Sequence, residues 1–112
     1  MSDPLRGHTR NDRRSLALHC AIAEKLRAQP ELIEIARENL LRWSISGGRS
    51  QPYRDAWREI LNRPLHEVLD LLTENSERMT VLRQTSPFAG VLNPAERWAV
   101  YDRFEPAPVE RQ

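Results

Sequence analysis

Cysteine, lysine and long hydrophobic runs are all scarce in this chain of 112 residues. The single cysteine, Cys20, excludes an intramolecular disulfide and gives no indication of an oxidising compartment. No apolar run approaches the roughly 20 residues that a membrane-spanning helix needs, and the first residues lack the apolar segment of a signal peptide. We therefore expect a soluble cytoplasmic protein.

A charge excess of either sign is also absent. The chain has 17 basic and 16 acidic residues, which gives a formal net charge of +1. Global electrostatics therefore select neither nucleic acid nor a membrane surface, and nucleic-acid binding would need a local basic patch. Lys25 is the only lysine; arginine suits bidentate and stacked contacts better, but so general a preference for arginine is more typical of a GC-rich genome.

The first half of the chain shows helical spacing of apolar residues, interrupted by proline and glycine. Helix one is predicted from Asp12, its N-cap, to Gln29, and Cys20 is interpreted as a small core residue within its apolar stripe. Pro30 begins helix two, which is predicted to end near Ser44, before Gly47 and Gly48.

In the second half, prolines again mark the helix starts. Pro52 begins helix three, Pro64 begins a short and strongly apolar helix four, and helix five is predicted over residues 76–84. Helix six is predicted over 94–104. No stretch alternates like a strand. The fold class is therefore all-α, an irregular bundle of five or six short helices, with a mobile basic arm (1–11), one helical domain (12–104) and a tail (105–112).

The segment 84–101 combines an apolar loop with a well-marked helix start. Pro87 and Gly90 prevent a helix, whereas Asn93, Pro94 and Glu96 have the pattern of a capped N-terminus. An apolar loop of this kind can lie in the groove of a partner, or equally fold over its own bundle. On the first interpretation, the predicted partner-binding residues are Ser86, Pro87, Phe88, Val91, Leu92, Arg97, Trp98 and Tyr101.

Arginines provide the alternative, a DNA-binding surface. Clustered arginines can contact phosphates and make affinity fall with salt. A helix-turn-helix fits poorly, because helix four is acidic and apolar. The residues of this alternative are Arg6, Arg10, Arg13, Arg14, Arg49, Arg54 and Arg58.

Catalytic and metal-binding patterns are weak. His66 and Asp70 lie one helical turn apart, but two candidate ligands do not make a site, and a solvated helix start explains them better. Adjacent His19 and Cys20 point about 100° apart on a helix, so they do not form a nucleophile–base pair. We predict no enzyme activity, no cofactor and no metal site.

Two segments resemble short bacterial proteins of antitoxin type: R-R-S-L-A-L-H-C-A-I-A-E-K-L at 13–26, and L-R-Q-T-S-P-F-A-G-V-L-N-P-A-E-R-W-A-V-Y at 82–101. Such proteins are often encoded beside a larger one. The resemblance implies an antitoxin or inhibitory subunit that binds a neighbouring toxin, such as one of nucleotidyltransferase type, and neutralises it by occlusion; it implies no individual site residue. The apolar face of helix four would equally suit a homodimer.

Overall fold

A computed structural model describes residues 10–47 and 50–104, and this part of the chain is built from α-helices and one 3₁₀ turn. It contains no strand, so the all-α prediction is confirmed. The proposed tail and most of the proposed arm lie outside the described residues. In chain order the helices are α1 (Arg10–Ala28), α2 (Ile33–Ser46), α3 (Gln51–Leu61), α4 (Leu65–Leu72), α5 (Glu77–Arg83) and α6 (Pro94–Phe104).

Short-range signals place several helix starts where the sequence predicts them. Asn93 caps α6: its Oδ1 accepts from the Glu96 backbone N–H at 2.8 Å, and its own N–H donates to Glu96 Oε1 at 2.8 Å. This reciprocal pair is a capping box. At α5, the Ser76 hydroxyl accepts from the Met79 backbone N–H at 3.2 Å.

The first two helices differ from the prediction at their ends. Helix α1 already includes Arg10, so Asp12 is not its N-cap; Asp12 is buried, and its Oδ1 accepts from Gln84 Nε2 at 2.6 Å. The segment after Gln29 first forms a 3₁₀ turn (Pro30–Leu32) and then α2. Helix α2 continues to Ser46, where Gly47 ends it with a φ of 74° that favours glycine.

Helix α1 lies at the centre of the packing and contacts α4, α5 and α6, whereas α2 packs chiefly on α3. The apolar face of α4 lies in the core, with Val68 and Leu72 fully buried and Leu69 only 6% exposed. This face is therefore not free to build a homodimer in the way the sequence suggested. No helix of the described chain is both long and apolar enough to cross a membrane.

Candidate interaction surface

The apolar half of the predicted docking segment is part of the protein's own core. Phe88 and Val91 are each 2% exposed, Leu92 is 5% exposed, and Pro87 is also buried. The Phe88 ring meets the Trp57 indole edge-to-face, with 5.8 Å between ring centroids. Since these residues present no surface to a partner in this conformation, the assignment of Pro87, Phe88, Val91 and Leu92 as contacts is corrected, and the loop folds over its own bundle.

Burial of this loop depends on partners for its backbone, because an unpaired buried carbonyl is costly. Asn39 of α2 supplies them: its Nδ2 donates to the carbonyls of Pro87 at 2.7 Å and Ala89 at 3.0 Å. Within the loop, the Val91 N–H donates to the Phe88 carbonyl at 3.2 Å. Gly90 takes a φ of 99°, a conformation that side-chain-bearing residues rarely adopt.

Ser86, at the start of the loop, is anchored by His19 of α1. His19 Nδ1 lies 2.8 Å from the Ser15 carbonyl, which can only accept, so Nδ1 carries the proton and Nε2 accepts from the Ser86 hydroxyl, also at 2.8 Å. Burial lowers the pKa of His19 to about 4, against the weaker raising effect of the bond to Ser15. The contact between Ser86 and His19 resembles a nucleophile–base pair. His19 is nevertheless a poor base, because its pKa is low and because its Nδ1 is bonded to a backbone carbonyl and not to a carboxylate. We assign the pair to positioning the loop.

The remaining predicted contact residues, Arg97, Trp98 and Tyr101, lie on α6 and reach solvent. Trp98 is 65% exposed, and its ring stands edge-to-face on Tyr101 with 5.6 Å between centroids. The guanidinium of Arg14 lies 5.3 Å from the centroid of the Tyr101 ring, within cation–π distance. We call these four residues, Arg14, Arg97, Trp98 and Tyr101, the α6 surface.

A polar contact helps to fix α6 on α1. Lys25 Nζ lies 2.7 Å from Glu96 Oε1, and this bond, with the backbone N–H of Asn93, holds the pKa of Glu96 below its usual value. Val100 is a buried apolar residue on α6. The helix therefore has a defined orientation, which determines the outward direction of Trp98.

The arginines of the DNA-binding alternative divide between two helices. Arg10, Arg13 and Arg14 lie on α1, where Arg14 joins the α6 surface. Arg54 and Arg58 lie on α3, and Arg58 donates to Asp55 at 2.7 Å and to Ser44 at 3.0 Å. Arg6 and Arg49 lie outside the described residues. Arg14 thus lies against an aromatic ring of α6, while the other described arginines of the set are divided between α1 and α3.

The weaker chemical candidates gain no further partners. His66 is largely exposed, with Nε2 3.9 Å from the adjacent Glu67 carboxylate. Within 10–47 and 50–104, no three His, Cys, Asp or Glu side chains are grouped as a metal site requires. Cys20 is exposed and not, as predicted, a core residue.

Sequence reasoning missed three features. Leu41 and Ile45, one turn apart on α2, are 62% and 80% exposed, and their spacing of four residues was the available signal. Asn39 is one of the buried residues of α2, where a polar residue indicates a specific buried hydrogen bond. The burial of Arg83 had no short-range signal.

No protein-family model, curated protein or solved structure matches this chain significantly.

Proposed function

We propose that this chain is a small cytoplasmic protein-binding subunit, of antitoxin or inhibitory type, that neutralises a larger bacterial protein by covering its active site. The observation that carries the proposal is the α6 surface. Tryptophan, tyrosine and arginine are the residue types that dominate the binding energy of protein interfaces. Here Trp98 and Tyr101 are in contact on α6, Arg14 of α1 lies against Tyr101, and Arg97 is the neighbour of Trp98 on the same helix.

The arrangement of the rings also favours binding. Edge-to-face contact with Tyr101 restricts the Trp98 side chain before any partner arrives. Restriction in the free protein reduces the conformational entropy that association would otherwise cost. An exposed aromatic pair held in this way can act as an anchor around which a polar rim excludes water.

The class of partner is inferred from the sequence resemblance and from the gene arrangement usual for the proteins that this chain resembles. The partner we propose is a toxin of nucleotidyltransferase type that is encoded beside this chain. Occlusion needs no catalytic group on the inhibitor, in agreement with our expectation that the chain is not an enzyme.

The experiment is co-expression with the protein of the neighbouring gene, followed by size exclusion and titration. Wild-type chain should co-elute stoichiometrically and suppress the toxicity of its neighbour. Trp98→Ala should weaken binding by roughly 2 kcal/mol, about 30-fold, because it removes the central aromatic anchor. Its melting temperature should change little, since a side chain 65% exposed contributes little to the core.

Tyr53→Ala is the matched control. Tyr53 is an aromatic residue of α3 that is 37% exposed. Because it does not belong to the α6 surface, its truncation should leave the affinity for the partner unchanged. A neighbour that elutes separately, or a Trp98→Ala variant that binds as tightly as wild type, would refute the assignment of the α6 surface.

Duplex DNA is the second candidate. It is favoured by Arg14, which lies against Tyr101 of α6 and shares α1 with Arg10 and Arg13. Binding through these residues should weaken steeply as salt rises, and Arg10→Gln with Arg13→Gln should reduce that salt dependence. Absence of any mobility shift at low salt would eliminate this candidate.

A further inference from the structure

A cavity of about 330 Å³ lies beside the buried loop, between α1, the end of α5 and the start of α6. This volume is at the lower end of the range for small-molecule sites, roughly 300–1,000 Å³. Five of the residues that line it are polar: His19, Arg83, Gln84, Ser86 and Arg97.

Arg83 is the unusual member of this wall, because it is only 4% exposed and has no carboxylate within ion-pair distance among the described residues. Taking a guanidinium out of water without a counter-charge costs several kcal/mol. Burial accordingly lowers the pKa of Arg83 from its usual value. The carboxylates of Asp12 and Glu74 oppose this shift, but neither forms an ion pair with Arg83, so no anion of the described chain bonds the guanidinium directly.

Within the described residues, only one edge of the Arg83 guanidinium is hydrogen-bonded. Nη1 donates to the carbonyls of Leu72 at 3.1 Å and Glu74 at 2.9 Å, which caps the end of α4. Nε is buried and has no acceptor in the described chain. The Nε and Nη2 edge of an arginine is one that binds a carboxylate or phosphate through two parallel hydrogen bonds.

Arg97 completes an anion site, because it is exposed and adds a second positive charge at the cavity. Ser86 lies in the same wall, but its hydroxyl already donates to His19 and accepts from the Phe88 backbone N–H, so the two arginines are the donors to an anion. His19, in the same wall, is uncharged at neutral pH because burial lowers its pKa to about 4, so Arg83 and Arg97 are the cations of the site.

We propose that this cavity binds the phosphate or carboxylate group of a small molecule, held by the unpaired edge of Arg83 together with Arg97. The proposal does not depend on the proposed function, because it requires no protein partner and no contact through Trp98. Phosphate and carboxylate share the recognition chemistry, and separate titrations distinguish them.

The test titrates the isolated full chain with inorganic phosphate and, separately, with succinate, while sodium chloride keeps the ionic strength constant. Nuclear magnetic resonance follows the Arg83 Nε–H signal and the His19 ring signals. We expect saturable 1:1 binding of one of the two anions, with the largest shifts at Arg83. Binding should also raise the pKa of His19, because the anion offsets the positive charge of Arg83 that helps to lower it.

Arg83→Gln should weaken binding at least tenfold, whereas Arg78→Gln, a change at an exposed arginine of the same helix, should not. Since Arg83 also caps α4, its variant could fail to fold; Arg97→Gln then serves, and should weaken binding several-fold without unfolding the protein. Shifts that do not saturate, that equal those from sodium chloride alone, or that leave Arg83 Nε–H and His19 unmoved in the wild type would overturn the proposal.

Discussion

Phe88→Ala tests whether the loop between α5 and α6 is a structural part of the core. The Phe88 side chain is 2% exposed and contacts the rings of Trp57 and His19. Truncation of a buried phenylalanine costs about 3–5 kcal/mol, from lost apolar burial and from the cavity left behind. With an unfolding entropy of about 2.1 cal/mol/K per residue, a chain of 112 residues loses about 4 °C for each kcal/mol. The melting temperature should therefore fall by about 12–20 °C.

Circular dichroism at 222 nm, with urea titration of the same variant, measures this loss. Trp98→Ala is the control, because it removes a larger aromatic ring from a surface position and should lower the free energy of unfolding by less than about 1 kcal/mol. A Phe88→Ala protein that melts within about 3 °C of wild type would show that the loop does not pack as described. The docking interpretation of the loop would then be restored.

Two further changes test the groups that hold the loop. Stability should fall as the pH is lowered from 6.5 towards 4, because the unfolded chain protonates His19 before the folded one does; with a folded pKa of about 4 the loss is about 3 kcal/mol. Urea midpoints from pH 4 to 7 measure it, and His19→Asn, but not His66→Asn, should flatten the profile. Asn39→Asp replaces the donor to the Pro87 and Ala89 carbonyls by an acceptor and should cost at least about 2 kcal/mol. A pH-independent midpoint, or an Asn39→Asp variant as stable as Asn62→Asp at an exposed position, would contradict these assignments.

Features determined by neighbouring residues were predictable from the sequence. The start of α6 rests on Asn93, Pro94 and Glu96, which lie within four positions of one another, and the structure forms the expected capping box. Helix α3 follows from its apolar spacing and from Pro52 in its first turn. Such signals act between neighbouring residues, so they can be recognised without knowledge of the tertiary fold.

Features determined by distant residues were not predictable. Asp12 looks like an N-cap, but Gln84, 72 positions away, gives it a different partner. Asn39 and the Pro87 carbonyl are 48 positions apart, and no local pattern at either end indicates that they meet. The same holds for the pairing of His19 with Ser86. Once Asn39 satisfies the carbonyls, an apolar loop that looks like a docking segment becomes a core segment.

This difference governs how binding data on the segment must be interpreted. The buried loop residues and the exposed α6 residues lie close together in the sequence. Substitutions in either group will reduce the partner binding that is measured at one temperature. A change at Phe88 acts on the population of folded chain, and its effect on affinity should disappear when the concentration of folded protein is used. A change at Trp98 acts on the surface itself, and its effect should remain after that correction. Only a loss of affinity that persists in fully folded protein therefore identifies a contact residue, and within 84–101 we expect it for Arg97, Trp98 and Tyr101.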